Sequence, residues 1–458
     1  MLLAFIIFYL AFTIAIGYWA SRKVKNTGDF MLAGRSLPLP LSAAALFAIW
    51  FGSETVFGAS AEFLKGGLYS VIEDPFGGAL CLLLFGLFFA RKLYKMNLLT
   101  LGDFFEVRYG KRTELIASFF LAVPYVGYIA AQLVALGLIL NIITGIDVWQ
   151  GAILAASIVT FYTFIGGMWA ISVTDFFQSI VIIFGLLILS VILANKSGGA
   201  LAVLSTMPAG TFRFFPKPEF KPIVLWLSAW SVLGLGSLPS QDIFQRVMSS
   251  GSVKVAVRSC LIAAGMYLTI ALLPLFIAIC VRHLYPDFSQ SEAQLALPRM
   301  VLAHTNIFMQ VLFFGSLLSA IMSTTSSALL ASAAIFSENL IRPLMKERLS
   351  DKQLLLVTRL CVLSFSIIAT VMACLRSDIY ELVGESSILS LVSLFAPMVL
   401  GMYWQRANSM GAFLSMATGM LTWVVFEIYE TGWPSLLPAT LVSFAAMILG
   451  SLYWKKHK

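Results

Sequence analysis

Charged residues are scarce in this chain: Asp, Glu, Lys and Arg make up 11% of its 458 residues, whereas 60% are hydrophobic. A soluble globular domain carries about 25% charged residues, so the composition excludes an ordinary soluble protein. Histidine is also scarce, with three residues, and no nucleophile–base constellation or phosphate-binding loop is present. We therefore do not expect an enzyme.

Cysteine gives no sign of a cofactor or a cross-linked scaffold. The five cysteines all fall in apolar segments, and their spacing resembles neither a disulfide framework nor a metal site. They are interpreted as packing thiols. No cofactor is expected, and no metal beyond the sodium ion that is considered below.

Long apolar runs, in contrast, recur along the whole length, for example at residues 5–20 and 261–280. Runs of about 20 residues can cross a hydrocarbon core of about 30 Å as a helix. The first run is not a cleaved signal peptide, because no basic residue precedes it and no small-residue cleavage site follows it. The pattern predicts an all-α polytopic membrane protein with thirteen spans, near residues 2–20, 39–61, 68–90, 115–143, 148–169, 173–195, 222–245, 259–281, 302–337, 353–375, 381–403, 410–429 and 434–454.

The basic residues predict the orientation in the membrane. If the amino terminus is outside, 22 of the 30 Lys and Arg residues fall in inner loops, Arg246 among them, and eight fall outside. Cytoplasmic loops carry such an excess, so a cytoplasmic carboxyl terminus in the plasma membrane, as in a bacterial inner membrane, is expected. The net charge of +8 is then explained by the membrane topology and is no evidence for nucleic-acid binding. The lipid bilayer is the expected partner. The oligomeric state is left open.

Two predicted spans are interrupted by small and polar residues at corresponding positions. Residues 48–60 and 234–244 are glycine-rich, the second contains Pro239, and each carries an acid, Glu54 or Asp242. They lie five spans apart, as in transporters built from inverted repeats, where broken helices expose carbonyls to ligands at the bilayer midplane. Glycines can also serve as mere packing faces, but that alternative does not explain the acids.

A third segment, residues 319–328, is rich in hydroxyls. Neutral oxygens suit a monovalent cation, although Ser and Thr in membrane helices often bond back to their own helix. Further acids, Asp74 and Asp175, also fall within or beside spans, where charges are costly and seldom lack a pathway or a partner. Bound cations, as coupling ion or substrate, are the natural partners.

These segments resemble the sodium/solute symporter family, and within it the high-affinity choline transporter branch. The resemblance covers nearly the whole chain and rests on the order and spacing of short motifs, together with the hydroxyl-rich span. They are residues 101–104 (LGDF), 108–111 (RYGK), 164–168 (FIGGM), 174–178 (TDFFQ) and 244–250 (FQRVMSS).

The resemblance implies a LeuT-type fold with a five-plus-five inverted repeat, one extra amino-terminal helix and two extra carboxyl-terminal helices. The implied segments are an extra helix and inner loop (1–38), the first repeat (39–195), an outer loop (196–221), the second repeat (222–405), and two final helices with a basic tail (406–458). The implied activity is sodium-coupled symport of a small organic solute by alternating access.

The resemblance also implies two cation sites. The family's common sodium site matches Ala48, Phe51, Ala320, Ser323 and Thr324. A second sodium site, present in some members, matches Asp175, Ser323, Ser326 and Ser327, so that two sodium ions per cycle is a hypothesis.

Substrate contacts implied by the family come from several core helices. Trp50 matches one member of the aromatic cage that choline transporters use, and Tyr128 replaces another, but Gly78 and Ser240 stand where further aromatics are expected. The acids favour a substrate with an amine, such as a choline-like cation, an amino acid or a polyamine. The predicted substrate ligands are Trp50, Glu54, Asp74, Tyr128, Gln132, Ser240, Gln241 and Asp242.

Two alternatives remain at this point. Glu54 and Asp242 could be proton sites of a proton-coupled carrier. A transporter-like membrane sensor has the same fold, although no cytoplasmic signalling domain is attached to these residues.

Overall fold

The computed structural model describes residues 2–284, 293–345, 349–376, 379–429 and 433–453. These residues are helical almost throughout, and their sole β-type pairing is an isolated bridge between Leu37 and Ser250. The helices are α1 Leu2–Ser21, α2 Thr27–Leu32, α3 Leu39–Ala48, α4 Ala59–Gly66, α5 Gly78–Leu84, α6 Ala90–Met96, α7 Leu101–Tyr109, α8 Lys111–Ala122, α9 Pro124–Thr144, α10 Val148–Lys196, α11 Ala200–Ser205, α12 Phe220–Gly236, α13 Gln241–Ser249, α14 Val253–Ile270, α15 Leu272–Leu284, α16 Ala293–His304, α17 Ile307–Ile335, α18 Arg342–Leu344, α19 Asp351–Leu375, α20 Ile379–Ser390, α21 Ala396–Tyr403, α22 Ser409–Ile428 and α23 Leu436–Tyr453.

Short segments of wider or tighter helical winding join several of these helices. The wide turns are π-helical. Such turns are rare, and they are frequently found at functional sites. They are Glu54–Gly58, Ile72–Gly77, Phe85–Phe89, Phe336–Ile341 and Leu391–Phe395, and the tighter 3₁₀ turns are Ala33–Arg35 and Leu68–Val71.

The predicted class, an all-α polytopic membrane protein, is confirmed, but the predicted count of thirteen spans is not. In the described residues, ten helical segments are long and apolar enough to cross a membrane, or eleven if the bent pair α12 and α13 counts as one span. Two differences from the predicted spans are clear. The predicted second span is broken after α3, which is only ten residues long, and the predicted fifth and sixth spans follow each other directly within α10, on the two sides of a kink at Gly167.

Helix α10 is continuous in sequence but turns at Gly167. Its 49 residues would extend about 74 Å as a straight helix, more than twice the hydrocarbon thickness. Gly167 has φ 50° and ψ −146°, a conformation that glycine adopts readily. A Cβ on Gly167 would lie 2.5 Å from the carbonyl oxygen of Phe30, so the close approach of α2 also requires glycine.

Helix α17 lies at the centre of the bundle. From Phe313 to Ile335 every residue is buried, including the whole hydroxyl-rich segment. Helix α10 packs along α17 and also contacts α1, α9 and α3. On the outer surface of the bundle, large apolar side chains such as Phe8, Phe184 and Leu421 are exposed, as expected for surfaces that face lipid.

The predicted outer loop packs onto the segment that follows α4. The amide of Leu68 donates to the carbonyl of Thr211 at 2.8 Å. The ring centroid of Phe214 lies 4.9 Å from that of Phe76, and the indole of Trp226 donates to the Phe214 carbonyl at 3.0 Å. These contacts fix the loop to the segment between α4 and α5 and to α12.

Candidate functional site

The first interruption lies between α3 and the wide turn Glu54–Gly58, as the glycine pattern predicted. The side chains of α9 bond the backbone groups that the break leaves without helical partners. Gln132 accepts from the amide of Ser53 at 3.0 Å, and the hydroxyl oxygen of Tyr128 lies 3.3 Å from the carbonyl oxygen of Ile49. The break is therefore a fixed feature, because opening it further would leave buried polar groups unpaired.

The carboxylate of Glu54 folds back over this break. It accepts from Gln132 at 2.9 Å and from the hydroxyl of Tyr128 at 3.1 Å, and its oxygens fill the space beside Gly52. A Cβ on Gly52 would lie 2.6 Å from one of these oxygens, so a larger residue there would displace the carboxylate from its present position. Glu54 thus connects the first broken helix to α9.

The second interruption lies between α12 and α13, which meet at an angle of 46° across residues 237–240. Pro239 falls in this break, as the sequence predicted. The hydroxyl of Tyr125 accepts from the amide of Asp242 at 3.0 Å and donates to its Oδ1 atom at 2.9 Å. Asp242 also stands in the first turn of α13, where the helix dipole and the amide of Ile243, at 2.9 Å, stabilise a carboxylate.

Both breaks border one cavity with an empty volume of about 610 Å³. Five of the eight predicted substrate ligands line it. Among its described lining residues none is Lys, Arg or His. The full lining is Ile49, Trp50, Glu54, Leu121, Pro124, Tyr125, Tyr128, Leu233, Gly236, Ser237, Pro239, Ser240, Asp242, Val383, Ser386, Ser387 and Ser390.

Three predicted substrate ligands do not line the cavity. Gln132 lies behind Glu54, and the Oε1 atom of Gln241 accepts from the amide of Leu101 at 2.7 Å, away from the cavity. Asp74 is buried beyond Trp50, where the hydroxyl of Tyr267 donates to it. In this structure each of the three side chains forms a hydrogen bond with another protein group.

Sequence reasoning missed several residues of the lining. Tyr125 follows Pro124 at the junction of α8 and α9, and its hydroxyl fixes Asp242. Ser386 and Ser387 come from α20, and Ser386 donates to the carbonyl of Pro124 at 2.9 Å. The tyrosine beside a proline within a span was the available signal; serines in a span carry little information alone.

The five residues predicted for the common sodium site come from the end of α3, the break after it, and α17. The hydroxyl of Thr324 lies 3.2 Å from the carbonyl oxygen of Ala48 and 3.1 Å from that of Ala320. Phe51 and Ser323 are fully buried. The structure brings carbonyl oxygens of a broken helix against hydroxyls of a second helix, a combination that can hold a monovalent cation.

The four residues predicted for a second sodium site also lie together. The hydroxyl of Ser323 donates to Asp175 Oδ1 at 2.5 Å, while Ser326 and Ser327 both donate to the Ser323 carbonyl, at 2.9 and 2.6 Å. A fifth residue joins them. Arg246 Nη2 lies 3.2 Å from Asp175 Oδ2 and donates to the hydroxyl of Ser327.

The sequence-based assignment of Arg246 to an inner loop is therefore wrong. Arg246 lies on α13, and its side chain is fully buried between α3, α10 and α17. Basic residues near the end of a span resemble loop residues in sequence. The buried carboxylate of Asp175 and the carbonyl of Ala45, which accepts from Nε at 3.0 Å, make the interior position tolerable.

Two broken helices packed against a hydroxyl-rich helix, with a cavity at both breaks, define the class: a membrane carrier built like the secondary transporters. Residues 30–419 match the family model of the sodium:solute symporter family, and the chain belongs to that family. It is accordingly a multi-pass integral membrane protein that couples solute transport to sodium, and not an enzyme.

Two relatives are named for different solutes. High affinity choline transporter 1 of Homo sapiens is 28% identical over 438 residues, covering 92% of this chain and 75% of that protein. High-affinity proline transporter PutP of Bacillus subtilis is 29% identical over 470 residues, covering 96% of this chain and 94% of PutP.

A solved structure supports the fold assignment. The structure of a Na⁺-coupled sialic acid symporter, in a substrate-bound outward-open state, superimposes with a TM-score of 0.88 at 20% identity. It covers 99% of this chain and 97% of that chain. The resemblance inferred from the short motifs, including the LeuT-type fold and the relation to choline transporters, is confirmed.

Proposed function

We propose that the solute is a small amine-bearing molecule: a choline-like cation, an amino acid or a polyamine. The observation that carries the proposal is the free oxygen of Asp242. Its Oδ1 atom is held by Tyr125 and the amide of Ile243, while no described residue donates a hydrogen bond to Oδ2. Asp242 borders the cavity, so Oδ2 is an anchored acceptor for a positively charged group.

The remainder of the lining supports the same substrate class. The rings of Trp50, Tyr125 and Tyr128 can attract a cation through their faces. No described lining residue offers a competing positive charge, and Glu54 adds a second carboxylate. The indole nitrogen of Trp50 and the hydroxyl of Ser240 are buried and have no hydrogen-bond partner among the described residues, so they can bond polar atoms of a substrate.

Sodium is proposed to bind between the first broken helix and α17. Its ligands would be the carbonyls of Ala48, Phe51 and Ala320 with the hydroxyls of Ser323 and Thr324. The contacts of Thr324 with Ala48 and Ala320 support this assignment. An ion there would hold α3 against α17 and so favour one of two conformations, which is the coupling that a symporter requires.

Alternating access then requires the two broken helices to separate at one end. The amide of Leu37 donates to the carbonyl of Ser249 at 3.0 Å, and the amide of Gly251 donates to the carbonyl of Leu37 at 2.9 Å. These bonds join the start of α3 to the end of α13. We infer that this end is the cytoplasmic gate and that it opens to release sodium and substrate.

We also propose the orientation in the membrane and the segment boundaries that the sequence predicts. With the amino terminus outside and the carboxyl terminus inside, the gate at Leu37 faces the cytoplasm of a plasma membrane, such as a bacterial inner membrane. The matching breaks after α3 and after α12 support the two repeats at 39–195 and 222–405. A carboxyl-terminal tag that a protease reaches only after the cells are permeabilised would agree with this orientation.

Uptake into liposomes tests the proposed substrate. Purified protein is reconstituted, a sodium gradient is imposed, and labelled choline, proline, other amino acids and putrescine are supplied singly, together with galactose and lactate as solutes without an amine. Sodium-stimulated uptake of at least one amine supports the proposal. Stimulation confined to solutes without an amine overturns it, uptake driven by a pH gradient without sodium indicates a proton-coupled carrier, and the absence of any uptake favours a sensor.

A further inference from the structure

We propose that Arg246 is the permanent cation of the acidic serine cluster, which consists of Asp175, Ser323, Ser326 and Ser327, so that the protein binds one sodium ion per cycle and not two. The inference deepens the proposed function and rests on it. It concerns the same cluster for which the sequence suggests a second sodium ion, and it gives the opposite stoichiometry.

The guanidinium group occupies the position in which a second sodium ion would meet its ligands. Asp175 supplies the only carboxylate of the cluster, and Arg246 Nη2 lies 3.2 Å from its Oδ2 atom. The same nitrogen donates to the hydroxyl of Ser327. Of the four residues expected to bind the ion, two therefore already contact a positive charge that belongs to the chain.

Both carboxylate oxygens of Asp175 already accept hydrogen bonds from protein groups. Asp175 Oδ1 accepts from Ser323 at 2.5 Å, and the hydroxyls of Ser326 and Ser327 donate to the carbonyl of Ser323. Asp175 is fully buried and all of its described partners are donors. The carboxylate is thus neutralised and hydrogen-bonded without a bound ion, as a buried charge requires.

Arg246 cannot vacate the site by losing its proton or by swinging into water. An arginine side chain stays protonated in proteins. Its Nε atom donates to the carbonyl of Ala45 at 3.0 Å, and its Nη1 atom lies 3.4 Å from the carbonyl of Asp242, so helices on several sides hold it. Sodium entering the cluster would meet a like charge at a few ångströms in a dry environment, which strongly disfavours binding.

The neighbouring sodium site escapes this exclusion. Its proposed carbonyl ligands and the hydroxyl of Thr324 have no described contact with Arg246. Ser323 stands between the two sites: its hydroxyl donates to Asp175. Because Arg246 neutralises Asp175, the common sodium site can bind a free ion, whereas the acidic serine cluster always contains the guanidinium group.

The test counts the sodium ions that bind to the purified full-length protein, with radioactive sodium as the probe and no substrate. Ionic strength is held constant with potassium chloride. We expect one bound ion per chain and a Hill coefficient of one. Two bound ions per wild-type chain overturn the inference and leave the proposed function intact, whereas no bound sodium overturns both.

Variants test whether Arg246 prevents a second sodium ion from binding. Arg246→Gln should bind two ions, Arg246→Lys should still bind one, and the double variant Arg246→Gln with Asp175→Asn should return to one. If Arg246→Gln binds a single ion, the guanidinium is a brace between helices and the inference fails. If that variant does not fold, as judged by size-exclusion chromatography, the wild-type count still decides.

Discussion

The hydroxyl of Thr324 lies 3.2 Å from the carbonyl oxygen of Ala48 and so connects α17 to the end of the first broken helix. This contact joins the two elements between which we propose that sodium binds. Because a sodium ion bridging them would add ligand bonds on both sides, it would stabilise the joined arrangement. Replacing Thr324 therefore tests the proposed sodium site.

Replacing Thr324 by Ala should raise the half-saturating sodium concentration by about tenfold or more, since a direct ligand is lost and tenfold corresponds to about 1.4 kcal/mol. Sodium-dependent uptake in liposomes measures the effect. Thr324→Ser keeps the hydroxyl and is the matched control, for which we expect a change of less than about threefold. Equal sodium dependence in wild type and Thr324→Ala would show that the hydroxyl is not a ligand.

Replacing Asp242 by Asn should raise the half-saturating concentration of a transported amine by roughly 30-fold or more, because a charged pair is replaced by a neutral contact. The amide side chain introduced by Asp242→Asn retains an oxygen for the hydroxyl of Tyr125, so the cavity should keep its shape. The sodium dependence should stay unchanged. Uptake with wild-type concentration dependence would contradict the role of the free oxygen.

Asp74→Asn provides the comparison for that experiment. The sequence predicts that Asp74 contacts the substrate, whereas the structure places it behind Trp50, bonded to Tyr267. We therefore expect a smaller rise in the half-saturating amine concentration for Asp74→Asn than for Asp242→Asn. The reverse order would favour the sequence-based assignment.

The interruptions of the two broken helices could be predicted from sequence because their cause is local. Proline and clustered glycine weaken a helix wherever they occur, and a buried acid beside them points to a ligand site. The direction in which each acidic side chain points could not be predicted from sequence. Glu54 turns back to Gln132 and Asp74 to Tyr267, while Asp242 borders the cavity, and these choices depend on helices distant in sequence.

The burial of Arg246 could not be predicted from sequence either, because it also depends on helices that are distant in sequence. Its place near the end of a span fits an inner loop equally well, and only the packing of α13 against α10 and α17 places it beside Asp175. The kink between the predicted fifth and sixth spans likewise depends on packing: the chain turns at Gly167, where α2 approaches closely.

A reversible cross-link can test the proposed gate. Cysteines in place of Leu37 and Ser250, which pair as an isolated bridge, should form a disulfide on oxidation and stop uptake. Reduction should restore it, because the start of α3 and the end of α13 could again separate. The experiment uses a Cys374→Ser background, since Cys374 is the exposed cysteine of the described residues.

The single-cysteine variants under the same oxidation are the controls, and their uptake should not change. Undiminished uptake by a fully cross-linked double variant, with cross-linking verified by mass spectrometry, would show that these two ends need not separate during transport.

Replacing Gly167 by Ala should lower the free energy of unfolding by about 1–3 kcal/mol, since φ 50° strains any residue with a Cβ. Contact with the Phe30 carbonyl, 2.5 Å from the added atom, increases the cost. Thermal unfolding in detergent measures the change. Gly265→Ala, on α14 with open space around the added atom, is the control and should be neutral or slightly stabilising. Equal melting temperatures for the two variants would contradict the packing described here.

We propose that sodium drives amine uptake through the site between the two broken helices. The most direct test loads liposomes containing the purified protein with potassium buffer and measures labelled-amine uptake under an inward sodium gradient, and separately under an inward proton gradient without sodium. We predict accumulation with sodium and loss of that accumulation in Ser323→Ala combined with Thr324→Ala. Accumulation driven by protons alone, or sodium stimulation that persists in the double variant, would contradict the account.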